Sequence, residues 1–514
     1  MILLNHGIIA VMAISLIRSV LGEVISSKLQ VHIPSSLSRT DGYEHREALF
    51  GIPPYGGSIQ QLVYYADDEL CDPTNVNTRG GYPEREKDKD GKMKPWPSPY
   101  ILFIDRGGCS FVNKVRNAQR SGAAGVIIAD KMCNCAAEGK DPACVSAPGE
   151  ICEATEPIMA DDGSGSDITI PSFLMFKQDA DPIREELKQN HMVRMEMGWS
   201  LPNPDARVEY ELWTTPTDMI SRDFQSQFKA AAVALNSHAY FTPHMYVYDG
   251  KKAGCEVIDG VSLCQSLCTN NGKYCATDPD NDLSKGISGA DVVKESLRRE
   301  CIWKLYGVED GIGAPWWDYV SQFMHRCDRE SYFTNEDCVK DAMSKANVDF
   351  REVEKCMSDS GGLEGEAVNT ILQSLLAEKE ASGVVILPAT YVNNAALRGA
   401  LEFATVFKAI CSGYMKGSEP EVCLKCAHCG IDEYQCVIRG ECPSAKGSVS
   451  IQVFAISLVV VVVLFGCVGL IQWQRSQRQM REQVRGIVAE YMPLDKVQAE
   501  SAGIPLDPSD TEVI

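Results

Sequence analysis

Twenty-three consecutive residues, Val449 to Ile471, carry no charge, and their middle reads Leu458-Val-Val-Val-Val-Val-Leu-Phe465. A run of this length covers the hydrocarbon core of a bilayer, and few soluble helices of that length lack every charge. Arg475, Arg478, Arg481 and Arg485 follow it, whereas the preceding side offers only Lys446. The bias of Lys and Arg toward the cytosol places the C-terminus there. At the other end, Ile8 to Ile17 is a short apolar run ending at Arg18, with Ser19 and Gly22 after it. It reads as a signal peptide over residues 1–22, although no Lys or Arg precedes the run. The expectation is a single-pass, type I chain with a span at 449–471 and a cytosolic tail at 472–514.

The cysteines divide in the same way. Of 21, one (Cys467) lies in the span, none follows it, and 20 precede it. An even number on one side of a membrane is what disulfide pairing in an oxidising lumen requires. The net charge of −21 excludes nucleic acid as the partner of the whole chain. The chain contains neither His-Glu-x-x-His nor Gly-x-Ser-x-Gly, so the familiar zinc-peptidase and serine-hydrolase signatures are missing. With no cysteine in the tail, a cytosolic zinc-binding ubiquitin-ligase module is excluded too.

Residues 28–199 form the first block. Ile101 to Asp105 is a short apolar strand, Arg106-Gly107-Gly108-Cys109 a turn, and Ser110 to Arg120 a helix capped by Ser110. Ala124 to Ala129 is a second strand and Ile168 to Met175 a third. With Phe50-Gly-Ile-Pro-Pro-Tyr-Gly-Gly-Ser58 and Thr169-Ile-Pro-Ser172, this block resembles the protease-associated (PA) domain, which carries no chemistry of its own.

The second block, 205–415, starts with an alternating strand at Val208 to Trp213, then an amphipathic helix from Phe224 to Leu235 and a strand at His244 to Tyr248. Val384 to Pro388 and Ala389 to Asn393 form a strand pair with a turn at Asn393-Asn394, and a helix closes the block from Phe403 to Ile410. That order is thioredoxin-like, with Pro388 where the fold places a cis-proline. Residues 255–376 are a helical insert stapled by Cys264, Cys268, Cys275, Cys301, Cys327, Cys338 and Cys356. A dithiol catalyst needs Cys-x-x-Cys at the start of the helix after the second strand, and only Cys255 stands near that position. The expected class is therefore α+β and multidomain, with a non-enzymatic thioredoxin-like scaffold; a luminal thiol-disulfide oxidoreductase is the alternative.

Residues 420–443 crowd Cys423, Cys426, Cys429, Cys436 and Cys442 together. The spacing suits zinc, but the lumen favours disulfides, with Cys411 as the sixth member of an abbreviated growth-factor-like (EGF-like) knot. Asp432 and Glu433 are poorly placed for the calcium site such knots can carry. The expectation is no cofactor and no metal.

In the tail, Tyr491-Met492-Pro493-Leu494 is a tyrosine, two spacers and a bulky aliphatic residue. A clathrin-adaptor medium subunit binds this pattern as a short extended peptide, with Pro493 keeping it extended.

Taken in order, these stretches, together with Lys273-Tyr-Cys-Ala-Thr-Asp-Pro-Asp280, Trp316-Trp-Asp-Tyr-Val320 and Ile410-Cys-Ser-Gly413, resemble the plant-type vacuolar sorting receptors. That resemblance implies carriage of soluble hydrolases and storage proteins from the Golgi to a vacuole by recognition of short sorting peptides, and residence in the Golgi, trans-Golgi network and prevacuolar compartments. It also implies that Arg106, Gly107, Gly108, Cys109, Ser110 and Phe111 contact cargo. Release in acidic compartments is the further expectation, with His191, His238 and His244 as sensors because histidine titrates there. The chain departs from the family in having at most one growth-factor-like unit, so calcium is implied by the resemblance but has no matching site.

Overall fold

The computed structural model describes residues 26–74, 80–134, 152–153, 155–255, 257–258, 261–262, 264–384, 386–430, 432–443 and 451–501, with side chains of the last helix from 455 to 481. The expected signal peptide, residues 1–22, lies outside the described residues. The chain divides into two units, Met1–Pro443 and Ser444–Ile514.

The first strands are β1 (Ser27–Ile33), β2 (His45–Glu47), β3 (Gly57–Tyr65), β4 (Tyr100–Asp105), β5 (Ala123–Ala129), the short pair β6 (Cys133–Asn134) and β7 (Cys152–Glu153), then β8 (Ser172–Met175) and β9 (Val193–Trp199). Seven of them make one sheet in the order β1-β9-β3-β4-β5-β8-β2, parallel from β3 through β8. Every residue of β4 is buried, as a central parallel strand covered on both faces must be. Helix α1 (Phe111–Arg120) packs Val112, Val115 and Ala118 on Leu102 and Ile104. Helix α2 (Lys177–Lys188) packs Ala180, Ile183 and Leu187 on Ile101 and Phe103. The third strand starts only at Ser172, because Pro171 cannot donate to a ladder and a 3₁₀ turn at Gly165–Asp167 precedes it.

The second sheet has the order β11-β10-β17-β18, with β10 (Val208–Thr214) parallel to β11 (Ala239–Met245) and antiparallel to β17 (Ala389–Val392), which pairs with β18 (Ala395–Leu397). Two helices rather than one connect β10 to β11, α3 (Arg222–Gln227) and α4 (Lys229–Leu235). The strand expected at His244 begins five residues earlier. Pro243 lies inside it, which is tolerated because β11 is an edge strand. No strand forms over the described residues of 384–388; Leu387–Pro388 is a cis peptide leading into β17. Asn393 and Asn394 both have positive φ, as a two-residue hairpin turn demands.

Between β11 and β17 lie short strand pairs, β12 (Tyr248–Asp249), β13 (Val257–Ile258), β14 (Val261–Ser262), β15 (Cys268–Thr269) and β16 (Tyr274–Cys275), then five helices: α5 (Gly289–Tyr306), α6 (Ala314–Arg326), α7 (Glu336–Lys345), α8 (Phe350–Asp359) and α9 (Thr370–Ser382). Disulfides Cys255–Cys264, Cys268–Cys275, Cys301–Cys356 and Cys327–Cys338 staple this insert. Trp303, Trp316 and Trp317 cluster around Phe241 and tie the helices to the sheet.

After α10 (Phe403–Ser412), the cysteine-rich segment departs from the growth-factor-like knot expected of it. It folds as two short helices, α11 (Glu421–Cys426) and α12 (Glu433–Arg439), paired as Cys411–Cys423, Cys426–Cys436 and Cys429–Cys442. Apolar residues between the cysteines at helical spacing, such as Tyr434 and Val437, drive this. Tyr434 meets Phe403 edge to face at 5.1 Å, and Lys408 pairs with Glu433 at 2.5 Å, so the segment is part of the second domain's core.

The stretch Phe50 to Ser58 is the clasp between the two domains. Tyr55 Oη accepts from Arg398 N at 2.6 Å and donates to Arg398 O at 2.9 Å, Gly399 N donates to Ala48 O, and Ala400 N to Gly51 O. Gly51 and Gly399 have positive φ; a Cβ on Gly399 would lie 2.8 Å from Gly51 O across the clasp, and one on Gly51 would strike Ile170 O of its own domain.

The second unit is one helix, α13 (Ile451–Ser501), of 51 residues. Its segment Ala455–Arg481 has a mean hydropathy of 2.6 over its most apolar window and is long and apolar enough to cross a membrane. The helix continues through 491–494. The Tyr491–Leu494 tetrapeptide is therefore helical here, not extended as expected, and Pro493 does not stop it.

Candidate functional site

The Arg106–Phe111 turn sits at the carboxyl end of β4, where α/β sheets place their loops. Arg106 does not reach outward. Its Nη1 and Nη2 donate to the two oxygens of Glu153 at 2.6 and 2.9 Å, and Nη1 also donates to Asp130 at 3.0 Å. The side chain is 22% exposed. Asp105 is not its partner: that carboxylate takes Arg184 at 3.1 Å and the Tyr65 hydroxyl at 2.8 Å. Gly107 and Gly108 have φ of 127° and 74°, and a Cβ on Gly108 would lie 2.3 Å from Glu69 Oε2. The glycines thus admit the Glu69 carboxylate against the turn. Cys109 is bonded to Cys71. Ser110 caps α1 by accepting from Asn113 N at 3.3 Å, and Phe111 is half-buried. Beneath the turn, buried Lys114 donates to Glu69 O at 2.5 Å, and burial lowers its ammonium to about 8.

In a thioredoxin fold the chemistry stands at the end of β11. Here that position holds no dithiol, since Cys255 is bonded to Cys264. His244 occupies it instead, stacked on Trp213 with centroids 4.3 Å apart and 9° between planes. Its Nδ1 lies 3.0 Å from Glu378 and its Nε2 3.4 Å from Glu211. Burial opposes the imidazolium, but the two carboxylates outweigh it and raise His244 to about 10. Nearby Glu300 accepts from Met245 N at 3.0 Å, and burial raises it to about 8. His244 is therefore charged at neutral and acidic pH alike, which removes it from the set of acid sensors. His191 pairs with Glu186 at 2.6 Å at the surface, and His238 lies 3.3 Å from Leu235 O. His45, which the sequence did not single out, is half-buried against Ser27 and the Tyr43 carbonyl, and loss of solvation lowers it to about 4.

A cleft of about 680 Å³ opens beside cis-Pro388. The first domain contributes Leu49 and the loop Ala160–Ser166, the second domain Ile220, Phe224, Leu387, Pro388 and Thr390, and the cysteine-rich helices Tyr434. Thr390 and Thr405 are among its lining residues, but their hydroxyls are buried away from it, with no hydrogen-bond partner among the described residues. Burial raises Glu402 on its rim. The turn and the cleft are separate features. Sequence reasoning named the turn and missed the cleft, although Leu387–Pro388, which lines it, stood out.

A PA-type domain is thus clasped to a thioredoxin-like domain in which Cys255, the cysteine nearest the usual dithiol position, is held in a disulfide with Cys264. Residues 208–411 match the vacuolar sorting receptor thioredoxin-like domain and residues 59–183 the PA domain. The chain is 34% identical over 390 residues to vacuolar-sorting receptor 1 of Pisum sativum, covering 73% of this chain and 57% of that one. It is 34% identical over 421 residues to vacuolar-sorting receptor 6 of Arabidopsis thaliana, covering 79% and 62%. By both domains the chain belongs with the vacuolar-sorting receptors. It spans about six-tenths of the length of these curated relatives. Among solved structures, an aminopeptidase from Aneurinibacillus sp. strain AM-1 is similar over 35% of this chain and 32% of its own, at 18% identity and a TM-score of 0.22, a likeness too slight to bear on function.

The calcium implied by the resemblance finds no fit in the cysteine-rich segment. Asp432 caps α12 by accepting from Gln435 N, and Glu433 is paired with Lys408.

Proposed function

We propose that this chain is a single-pass type I sorting receptor. In this reading its two N-terminal domains bind sorting peptides of soluble cargo in the Golgi lumen. Its tail recruits the clathrin-adaptor medium subunit through Tyr491 and Leu494 for transport to a vacuole or lysosome-like compartment. The observation that carries the reading is the cleft between two domains homologous to those of vacuolar-sorting receptors, lined by apolar Leu49, Phe224, Leu387, Pro388 and Tyr434 with polar Asp161, Ser166 and Gln227 among them. An extended peptide needs apolar pockets for side chains and a few fixed polar groups for its backbone. The Arg106–Phe111 turn enters as the support of one cargo-contacting loop. Its glycines bring backbone N–H groups forward while Arg106 anchors it. In the tail, the helix over 491–494 unwinds on the adaptor. Residence follows from this role: Golgi, trans-Golgi network and prevacuolar compartments.

The test is capture of soluble vacuolar proteins from the lumen by the detergent-solubilised chain. Ala404→Trp, a partly buried position on the cleft wall, serves as the blocked control. Enrichment abolished by A404W supports the reading; no enrichment, or enrichment indifferent to the block, counts against it.

A further inference from the structure

We propose that the loop from Asp278 to Gly286 is a calcium site, with the ion held between the carboxylates of Asp278 and Asp280. The loop reads Asp278-Pro-Asp280-Asn-Asp282-Leu-Ser284, an oxygen-bearing side chain at every second position, which is the alternation of the first half of an EF-type calcium loop. That spacing alone is only an acidic cluster. What points to an ion is Asp278, whose side chain is 7% exposed and whose Oδ2 has no hydrogen-bond partner among the described residues. The loop that carries it, not the deep core, shuts it off from water. Its carboxyl faces that of Asp280 at hydrogen-bonding range, so two acceptors meet with no donor between them. A buried carboxylate normally finds a cation or donors. Among the described ion pairs neither residue has one: Lys285, in the same loop, goes to Asp282 at 3.9 Å.

The backbone is arranged to keep the pair together. Asp280 N donates to Asp278 Oδ1 at 3.2 Å and Asp282 N to Asp280 Oδ1 at 2.9 Å. Gly286, at φ 76°, lies so close to Asp280 Oδ2 that no Cβ fits. Both ends of the loop are fixed, one by the Cys268–Cys275 staple on β16, the other by the capping box of Ser288 and Asp291 on α5. Hard oxygen ligands in a loop of adjustable backbone suit calcium better than magnesium, which demands near-ideal octahedral geometry. Asp282 is already engaged by Ser284, Leu283 stands where such loops have glycine, and Gly289 where they close with glutamate. Affinity therefore falls at the weak end, on the order of 10⁻⁴–10⁻³ M. The sulfur group of Cys255, Cys264 and Cys268 is no rival, since each is in a disulfide.

The test is calcium titration of the detergent-solubilised full chain, followed by equilibrium dialysis and by thermal unfolding with and without chelator. The wild type is expected to show one saturable site and a calcium-dependent rise in unfolding temperature. D278N and D280N are expected to raise Kd at least about tenfold, the loss of one carboxylate ligand, whereas D432N in the cysteine-rich segment leaves it unchanged. In chelator, D278N relieves the facing carboxylates and is expected to be at least as stable as wild type, which separates lost ligation from lost folding. No saturable binding up to about 10 mM calcium, well above the weakest such loops, overturns the proposal. So does a calcium-dependent rise that survives both D278N and D280N.

Discussion

Glu153 grips the Arg106 guanidinium through both carboxylate oxygens, although 47 residues separate the two in the chain. A fork-to-fork pair of this kind fixes orientation as well as charge. Arg106 therefore shapes the turn, and on the proposed reading it is the turn's backbone that meets cargo. Arg106→Ala leaves Glu153 and the buried Asp130 without their cation and is expected to cost about 2 kcal/mol of domain stability by chemical denaturation. Glu153→Gln is expected to weaken cargo binding to a similar degree. Cargo binding abolished by R106A but untouched by E153Q would show that Arg106 contacts cargo directly.

Gly108 meets Glu69 from a conformation that L side chains rarely adopt. Gly108→Ala is expected to destabilise the first domain by about 1–3 kcal/mol and to displace Glu69. A structure of the variant with Glu69 unmoved and stability unchanged would contradict this account of the turn.

The two domains should respond to acid in opposite senses. His244 is raised to about 10 and Glu300 to about 8, so the folded second domain binds more protons than the unfolded chain at neutral pH. His244's contribution is complete below the usual histidine value and fades as pH rises toward 10. The cost of ionising Glu300 grows from the usual carboxyl value up to about 8. Thermal unfolding of the second domain is therefore expected to move up, not down, between pH 8 and pH 5.5, and Glu300→Gln to flatten that trend. The His244 ring resonances are expected to stay constant from about pH 5 to 8.

His45 works the other way. Loss of solvation lowers it to about 4, so acid favours the unfolded first domain as pH falls from the usual histidine value toward 4. Acid loss of cargo, if it tracks this histidine, is expected to be blunted by His45→Gln while His191→Gln and His238→Gln change little. A pH profile of cargo binding that is identical in wild type and H45Q would remove His45 from the mechanism.

In the tail, Tyr491→Ala and Leu494→Ala are each expected to abolish pull-down of the adaptor medium subunit by the full chain, and Met492→Ala to spare it, because only the outer two side chains fill pockets. Equal binding by all three would dismiss the tetrapeptide.

Local signals were readable. The apolar strand at Ile101 to Asp105, the Ser110 cap, the cis-proline at 388 and the Asn393-Asn394 turn all rest on neighbours in the chain, and all are present. What the residues hid was pairing at a distance. Nothing near Arg106 announces Glu153, and nothing near His244 announces Glu378, 134 residues later. Pro243 disguised an edge strand. The cysteine-rich segment misled because cysteine spacing says little about the secondary structure between the staples, and the helical spacing of its apolar residues was the better guide.

Every described disulfide closes within its own domain. The longest spans 55 residues, Cys301 to Cys356, and none joins the first domain to the second. Each described staple can thus form soon after its own segment is made, without waiting for the C-terminal half. The clasp around Tyr55 is the last assembly step by this order, and it is noncovalent. A newly made chain that has oxidised correctly but not yet docked its two domains would pass any thiol-based quality check while still lacking its cleft.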